Sequence, residues 1–414
     1  MTGAEGAPSI PRGPLAFILL TVLMDVIGFG LIVPVLPTLV SELGHVGLSD
    51  AAGIGGWIIM SYALAQFIFS PVLGGLSDAY GRRPVLLISM GGFAVNMLIT
   101  AFAPVLWLLF VGRILAGITG ASIATANAYI ADITPPQRRA QTFGLLGVAF
   151  GLGFALGPAI GGLIGALDPR WPFLVAAAMA GCNMLMGIFL LPESLPPERR
   201  RPFDWRRANL VGSLRQLGRL GGKLRRLALV YFLWMLALQS LHGIWSYIAA
   251  YRYGWTPFGI GLSLTFVGVL AILVNGLFVR RSVKWLGEWR TALLGIAGGT
   301  LAYIVYFFAD RPELAYAGLT IGAIGGLTVP ALQALMTENA PPNAQGELQG
   351  ALATLSSLTI ILGPLLFARV FTHFSGEDAA VHAPGMPFLL SVLLASAALL
   401  LLLWNRPGRE RLAE

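Results

Sequence analysis

Twelve apolar stretches, near 15–40, 51–74, 84–104, 105–131, 140–166, 172–192, 227–250, 258–279, 291–309, 313–336, 349–370 and 386–404, limit this chain more than any other feature. Each is close to the ~20 residues that a helix needs to cross the hydrocarbon core of a bilayer. In lipid a backbone polar group has no water to bond, so a spanning segment is either a helix or part of a closed barrel. Runs this long and continuously apolar exclude the alternation of a barrel strand. The expectation is an all-α membrane protein with twelve transmembrane helices. Composition agrees: 56% of the residues are hydrophobic and only 11% charged, against about 25% charged in soluble domains. The first stretch is too long for a cleaved leader, and a single basic residue, Arg12, precedes it. Cys182 is the only cysteine, so no internal disulfide can form.

A net charge of +8 suggests nucleic acid at first sight. The placement of the charges points elsewhere. Of the 27 Lys and Arg residues, 22 fall in the amino terminus, the even-numbered connections and the carboxyl tail, whereas Arg170, Arg252, Arg311 and Arg369 are alone on the other side. That bias is the positive-inside pattern and predicts that both termini are cytoplasmic. The partners expected are the bilayer, a small molecule and protons, with no nucleic acid.

The chain also repeats. A shift of 206 residues superimposes Gly81 on Gly287, Gly120 on Gly326, Pro135-Pro136 on Pro341-Pro342, Gly144 on Gly350 and Gly157-Pro158 on Gly363-Pro364. Two parallel six-helix repeats follow, with a substrate site between them near the midplane. The expected division is 1–192, a basic linker at 193–226, and 227–414. The linker holds ten basic residues and places Trp205, Leu210, Leu214 and Leu217 at helical spacing, so part of it can rest on the inner membrane surface.

Two charges interrupt the apolar segments. Asp25 is about ten residues into the first, or ~15 Å along a helix, and Arg113 is at similar depth in the fourth. A charge there costs at least ~2.5 kcal/mol on insertion, so it faces a partner or a watery cavity. The two can form a fixed ion pair, or a site that takes and releases a proton. The fifth segment, GLLGVAFGLGFALGPAIGG, carries Gly144, Gly153, Gly157, Pro158, Gly161 and Gly162. Gly153, Gly157 and Gly161 recur every four residues, on one face where a neighbouring helix can approach backbone to backbone, and Pro158 removes one hydrogen bond from the helix. The loop GGLSDAYGRRPVLL supplies Gly74, Asp78, Gly81, Arg82 and Arg83, and Asp132 ends the fourth segment on the same side.

These motifs resemble the major facilitator superfamily. The loop after the second segment is similar to its signature loop, FVGRILAGITG to the arginine motif of proton-coupled exporters, and the fifth segment to the antiporter motif. Together with LMDVIGFGLIVPVLPTL and YIADIT they resemble the tetracycline/proton antiporters of the twelve-helix drug exporter group over nearly the whole chain. The resemblance implies a major facilitator fold in a bacterial inner membrane and proton-driven export of an amphipathic, drug-like compound by a monomer, with no enzyme activity, cofactor or metal. Asp25 and Arg113 would couple the proton. Asp78, Arg82, Arg83 and Asp132, with the turn glycines Gly74 and Gly81, would latch the cytoplasmic side. Three positions depart from the tetracycline pattern: Asn96 and Gly298 stand where acids are expected, and Ala271 where a histidine is expected. A positively charged tetracycline-magnesium chelate is then disfavoured as substrate. The polar residues left for a ligand are Gln66, Asn96, Asn127, Gln239, His242, Asn275 and Gln333, with Trp57, Tyr62, Trp245 and Tyr247 as candidate aromatic lining. Two other readings stay open: export of a sugar or metabolite by the same mechanism, and a membrane receptor or scaffold that transports nothing.

Overall fold

A computed structural model describes residues 11–203, 221–341, 344–376 and 378–405. Among them there is no strand. The first half contains α1 (Arg12–Ile32), α2 (Leu36–Gly44), α3 (Leu48–Tyr80), α4 (Arg82–Ala101), α5 (Leu106–Thr119), α6 (Ser122–Ile133), α7 (Arg139–Gly165) and α8 (Trp171–Leu190). The second contains α9 (Gly222–Tyr253), α10 (Pro257–Leu273), α11 (Val279–Phe308), α12 (Pro312–Gly322), α13 (Thr328–Asn339), α14 (Gln345–Ser375) and α15 (Met386–Trp404). Helix α9 begins at Gly222, so the end of the expected 193–226 linker is already helical. The proposed amphipathic stretch, Trp205 to Leu217, lies outside the described residues.

Among the described residues, eleven helical stretches are long and apolar enough to span a membrane. One of them, Pro257–Phe308, has 52 residues and is too long for a single crossing. It divides at Gly287, whose backbone is non-helical (φ 77°, ψ 167°), and twelve crossings result. Gly81, its partner under the 206-residue shift, has φ 108° and ψ 161° and separates α3 from α4. A side chain with a Cβ is strained at such angles, which is why glycine occupies both corners. The repeat recurs elsewhere. The fourth crossing breaks between α5 and α6 at Gly120, and its counterpart passes through a 3₁₀ turn, Ala323–Leu327, that contains Gly326. Pro158 and Pro364 both lie inside continuous helices, α7 and α14. The first apolar stretch, expected as one helix, is two: α1 ends at Ile32, and the chain turns before Pro37 enters the first turn of α2.

Packing along α7 answers which neighbour its glycine face meets. A Cβ on Gly153 would lie 2.7 Å from Val26 Cβ, and one on Gly157 would lie 2.8 Å from Gly30 Cα, both on α1. Gly161 is pressed against the Leu31 backbone of the same helix. Gly162, one residue on, faces the other half: its Cβ would stand 2.6 Å from the Pro257 carbonyl and 3.0 Å from Gly261 Cα on α10. Helix α7 is therefore sandwiched between α1 and α10, with backbone directly against backbone at Gly157, Gly161 and Gly162.

Among the described residues the halves meet from the middle of α7, at Gly151–Ile272 and Ala155–Gly268, to the side away from Arg82 and Arg83. On the side away from Arg82 and Arg83, Ser49 and Ser375 share a 2.7 Å hydrogen bond, Thr372 Oγ1 donates to the Ser49 carbonyl at 2.9 Å, and Gly56 of α3 abuts Ala368 and Pro364 of α14. Arg369 stacks 5.8 Å from the centre of the Trp57 ring. Toward the basic side the helices part: around Gly74 on α3, Gly144 and Gly147 on α7 and Gly346 on α14 nothing lies within 4 Å of a Cβ position.

Two predictions follow from this packing. Gly287→Ala has open space around it, so its only penalty is the left-handed backbone, ~1–2 kcal/mol. Its apparent melting temperature falls below that of wild type, whereas Gly346→Ala, helical and equally unobstructed, does not lower it. Gly157→Leu forces α1 and α7 apart and abolishes transport in membranes where the protein is still present at wild-type level. Gly144→Leu, at the open end of the same helix, keeps transport. Equal activity of the two leucine variants would show that the seam is not required.

Candidate transport site

The polar groups inside the helices are arranged as a chain. Asp25 of α1 lies near the Ser122 side chain of α6, and it immediately precedes Val26, which seats Gly153 of α7. Tyr62 of α3 is an electrostatic neighbour of both Asp25 and Arg113. Gln66, one turn along, donates at 3.0 Å to the Tyr62 hydroxyl and at 3.0 Å to the Gly120 carbonyl at the α5–α6 break. Arg113 of α5 is only 7% exposed. Its electrostatic neighbours are the neutral phenols of Tyr62 and, from the other half, Tyr247 of α9.

The direct Asp25–Arg113 ion pair weighed from the sequence is not formed. Among the described residues the two ion pairs are both made by Arg82, and Arg113 makes neither an ion pair nor a hydrogen bond. The two helices place these side chains in one polar zone, with Tyr62 near both.

The expected ligand residues are distributed unevenly. Asn96 is fully buried, with its amide against Gly112 of α5 and both polar atoms without a partner among the described residues. It presents no surface to a ligand in this conformation. Gln239 is 7% exposed and covered by Gly363 of α14, and Gln66 is held by the two bonds above. His242 is exposed, with Nδ1 3.1 Å from the Leu238 carbonyl, and its ring faces Phe154 of α7 at 6.5 Å across the two halves. Asn275 is exposed on a π-helical turn, Val274–Phe278, and bonds the Ala271 carbonyl at 2.9 Å. Such turns widen a helix locally and recur at functional sites. Asn127 and Gln333 are half-buried. Of the aromatic candidates, Trp245 is core: its indole donates to Ser263 at 2.9 Å, and its ring packs on Trp255, Tyr306 and Phe388. Gly298 is packed against Ile324, so a side chain there would displace this contact within the second half.

On the basic side, Arg82 gathers the acids of the first half. Its Nη1 is 2.5 Å from Asp78 and its Nε 3.2 Å from Asp132, which also accepts from Ser194 at 3.1 Å. Arg83 donates to the Ile188 carbonyl at 2.5 Å. The residue that the sequence reading missed is Glu193. Its carboxylate accepts from the backbone N–H groups of Arg82 (2.8 Å) and Arg83 (3.2 Å), closing the first turn of α4, where a negative charge also meets the positive end of the helix dipole. The only signal was an acid directly after the sixth apolar segment, in PES, which reads equally well as part of a solvated linker. Among the described residues every hydrogen-bond and ion-pair partner of these gate residues lies between 77 and 201, so the network described ties the first half and the start of the linker to each other.

The comparisons agree with this architecture. The model of the Major Facilitator Superfamily matches residues 18–364. The chain is 43% identical to the tetracycline resistance protein, class C, of Escherichia coli, over 86% of this chain and 89% of that protein. The crystal structure of the human organic anion transporter MFSD10 (TETRAN) is 26% identical, covers 96% of this chain and 100% of its own, and superimposes with a TM-score of 0.69. A bacterial homolog of the human lysosomal transporter Spinster, inward-facing and unoccupied, is 15% identical over 97% of this chain and 98% of its own, and shares the fold with a TM-score of 0.78. The chain belongs to the Major Facilitator Superfamily, a multi-pass membrane transporter and not an enzyme, and its relatives there include the tetracycline resistance proteins.

Proposed function

We propose that this protein is a proton-coupled antiporter that exports an amphipathic, drug-like compound by alternating access. It works as a monomer in a bacterial inner membrane, with 1–192 and 227–414 as its two rocking units and the basic side in the cytoplasm. The observation that carries this reading is the position of Asp25 next to the α1–α7 seam. Protonation of a carboxyl group in low dielectric removes a charge from beside a helix, α7, that also packs backbone to backbone on the opposite half. A change in proton occupancy can then bias the interface between the halves, which is what exchange of a proton for a substrate requires. The contacts on the far side and the open space on the basic side fit a state ready to load substrate from the cytoplasm.

Relatives named for tetracycline resistance support a drug as cargo. The residue-level departures weigh against tetracycline as the best one, because a cationic chelate gains from nearby carboxylates, and one charge pair at 4 Å is worth ~4 kcal/mol at an effective dielectric of about 20. Asn96 and Gly298 provide none.

The test is flux in proteoliposomes against a compound panel with an imposed pH gradient. Wild type accumulates substrate uphill only with the gradient. Asp25→Asn retains downhill exchange and loses uphill transport; uphill pumping by this variant would remove Asp25 from the mechanism. Arg113→Lys keeps part of the activity, since the charge persists but the planar fork of donors is lost. In a pump-deficient host the wild-type chain gives weaker tetracycline resistance than the class C protein of Escherichia coli, and resistance as strong as that relative's would show that the missing acids do not set cargo choice.

A further inference from the structure

We infer that Arg113 and Tyr247 form a two-donor subsite for a substrate carrying an anionic oxygen, a carboxylate or an enolate. The inference deepens the exporter reading by naming a chemical class for its cargo.

Both side chains are buried, Arg113 at 7% and Tyr247 at 2% exposure. Arg113 Nη2 and the Tyr247 hydroxyl each have no hydrogen-bond partner among the described residues. They are electrostatic neighbours, yet they come from different halves, α5 and α9. A buried guanidinium without an acceptor is costly, and so is a buried hydroxyl without a partner. Two such donors beside each other define a place for one acceptor. Arg113 contributes a cationic donor that its own half leaves unpaired: among the described residues it forms no ion pair with Asp25, and the Tyr62 hydroxyl accepts from Gln66 rather than from it.

The backbone supports the arrangement. The Tyr247 hydroxyl lies where a Cβ on Gly55 of α3 would stand. Glycine at 55 thus opens the path by which a side chain of the second half reaches over α3 toward Arg113 of the first. Ser49–Ser375 closes the far side one to two turns beyond Gly55 on the same helix. The subsite accordingly exists only while the far side is shut, and separation of the halves there takes one donor from the other. A ligand whose anionic oxygen bridges Arg113 and Tyr247 stabilises the far-side-closed state, and opening of that side releases it.

The experiment measures binding of naproxen, an amphipathic aryl carboxylate, and of its primary amide to the purified full-length protein by equilibrium dialysis. Wild type prefers the acid by about tenfold, the expected difference between a charge-assisted and a neutral hydrogen-bonded contact. Tyr247→Phe narrows that preference roughly threefold, and Gly55→Ala, which displaces the hydroxyl without removing it, narrows it as well. Arg113→Gln removes it. Should Arg113→Gln fail to give a monodisperse protein, the other two variants carry the test. Equal binding of acid and amide by wild type, binding of neither, or an unchanged preference in Tyr247→Phe would overturn the subsite. Retained acid preference together with absence of gradient-driven flux would instead sink the exporter reading alone.

Discussion

Backbone-to-backbone contact along α7 is the interaction on which the rest of this structure depends. Lipid offers helices no hydrophobic reason to associate, so close packing of small residues has to hold them. Here one helix does this twice: Gly153, Gly157 and Gly161 seat α1, and Gly162 with Ala155 seats α10, where a Cβ on Gly268 would stand 2.9 Å from Ala155 Cα. Glycine in a helix interior costs roughly 0.5–1 kcal/mol against alanine. The seam offsets that cost by dispersion contacts and by the closeness it gives to two moving parts. Because α1 bears Asp25 and α10 belongs to the other half, α7 links the carboxyl to the interface between the halves.

The gate residues follow a different logic. Among the described residues, Asp78, Arg82, Asp132, Glu193 and Ser194 find their partners in the first half and the first residues of the linker. A network closed on itself makes the basic end of α3, α4 and α6 one stiff body, with the Arg201 N–H donating to the Asp78 carbonyl at 3.1 Å and Phe203 packed on Gly75 to hold the start of the linker against it. A rocking transporter needs such bodies. If each half deformed on its own, a change at Asp25 would be absorbed locally and would not reach the far-side contacts.

The number and order of crossings were legible because hydropathy alone decides them, and the 206-residue repeat was legible because glycine and proline mark backbone geometry directly. Gly81 and Gly287 share their unusual angles, and Gly120 and Gly326 both mark a broken fourth helix. Rotation of each helix about its axis was much less legible. An apolar helix is similar on all faces, so nothing in the segment containing Asn96 says that this side chain turns into α5, and nothing around Trp245 says that it packs with Tyr306 and Phe388. The partner of Arg113 was missed for the same reason. A charge within a helix shows that a partner is needed, but the choice between Asp25, Tyr62 and Tyr247 rests on angles that only the packed bundle sets. Glu193 was hidden by its address, since an acid in a basic linker and an acid capping a helix have the same local sequence.

The separation of Asp25 from Arg113 has a mechanistic consequence. A directly bonded pair would hold the carboxyl ionised and leave the guanidinium satisfied, so neither a proton nor a substrate would find much to gain there. Kept apart, with Tyr62 as a neighbour of both, each stays available to its own ligand. An exchanger needs its two ligands to disfavour each other, so that binding of substrate expels the proton and the proton expels the substrate, and by linkage these two effects are one coupling free energy. An unbonded carboxyl and guanidinium leave a site for each ligand, which the tight ion pair that cheap burial of two charges would favour does not.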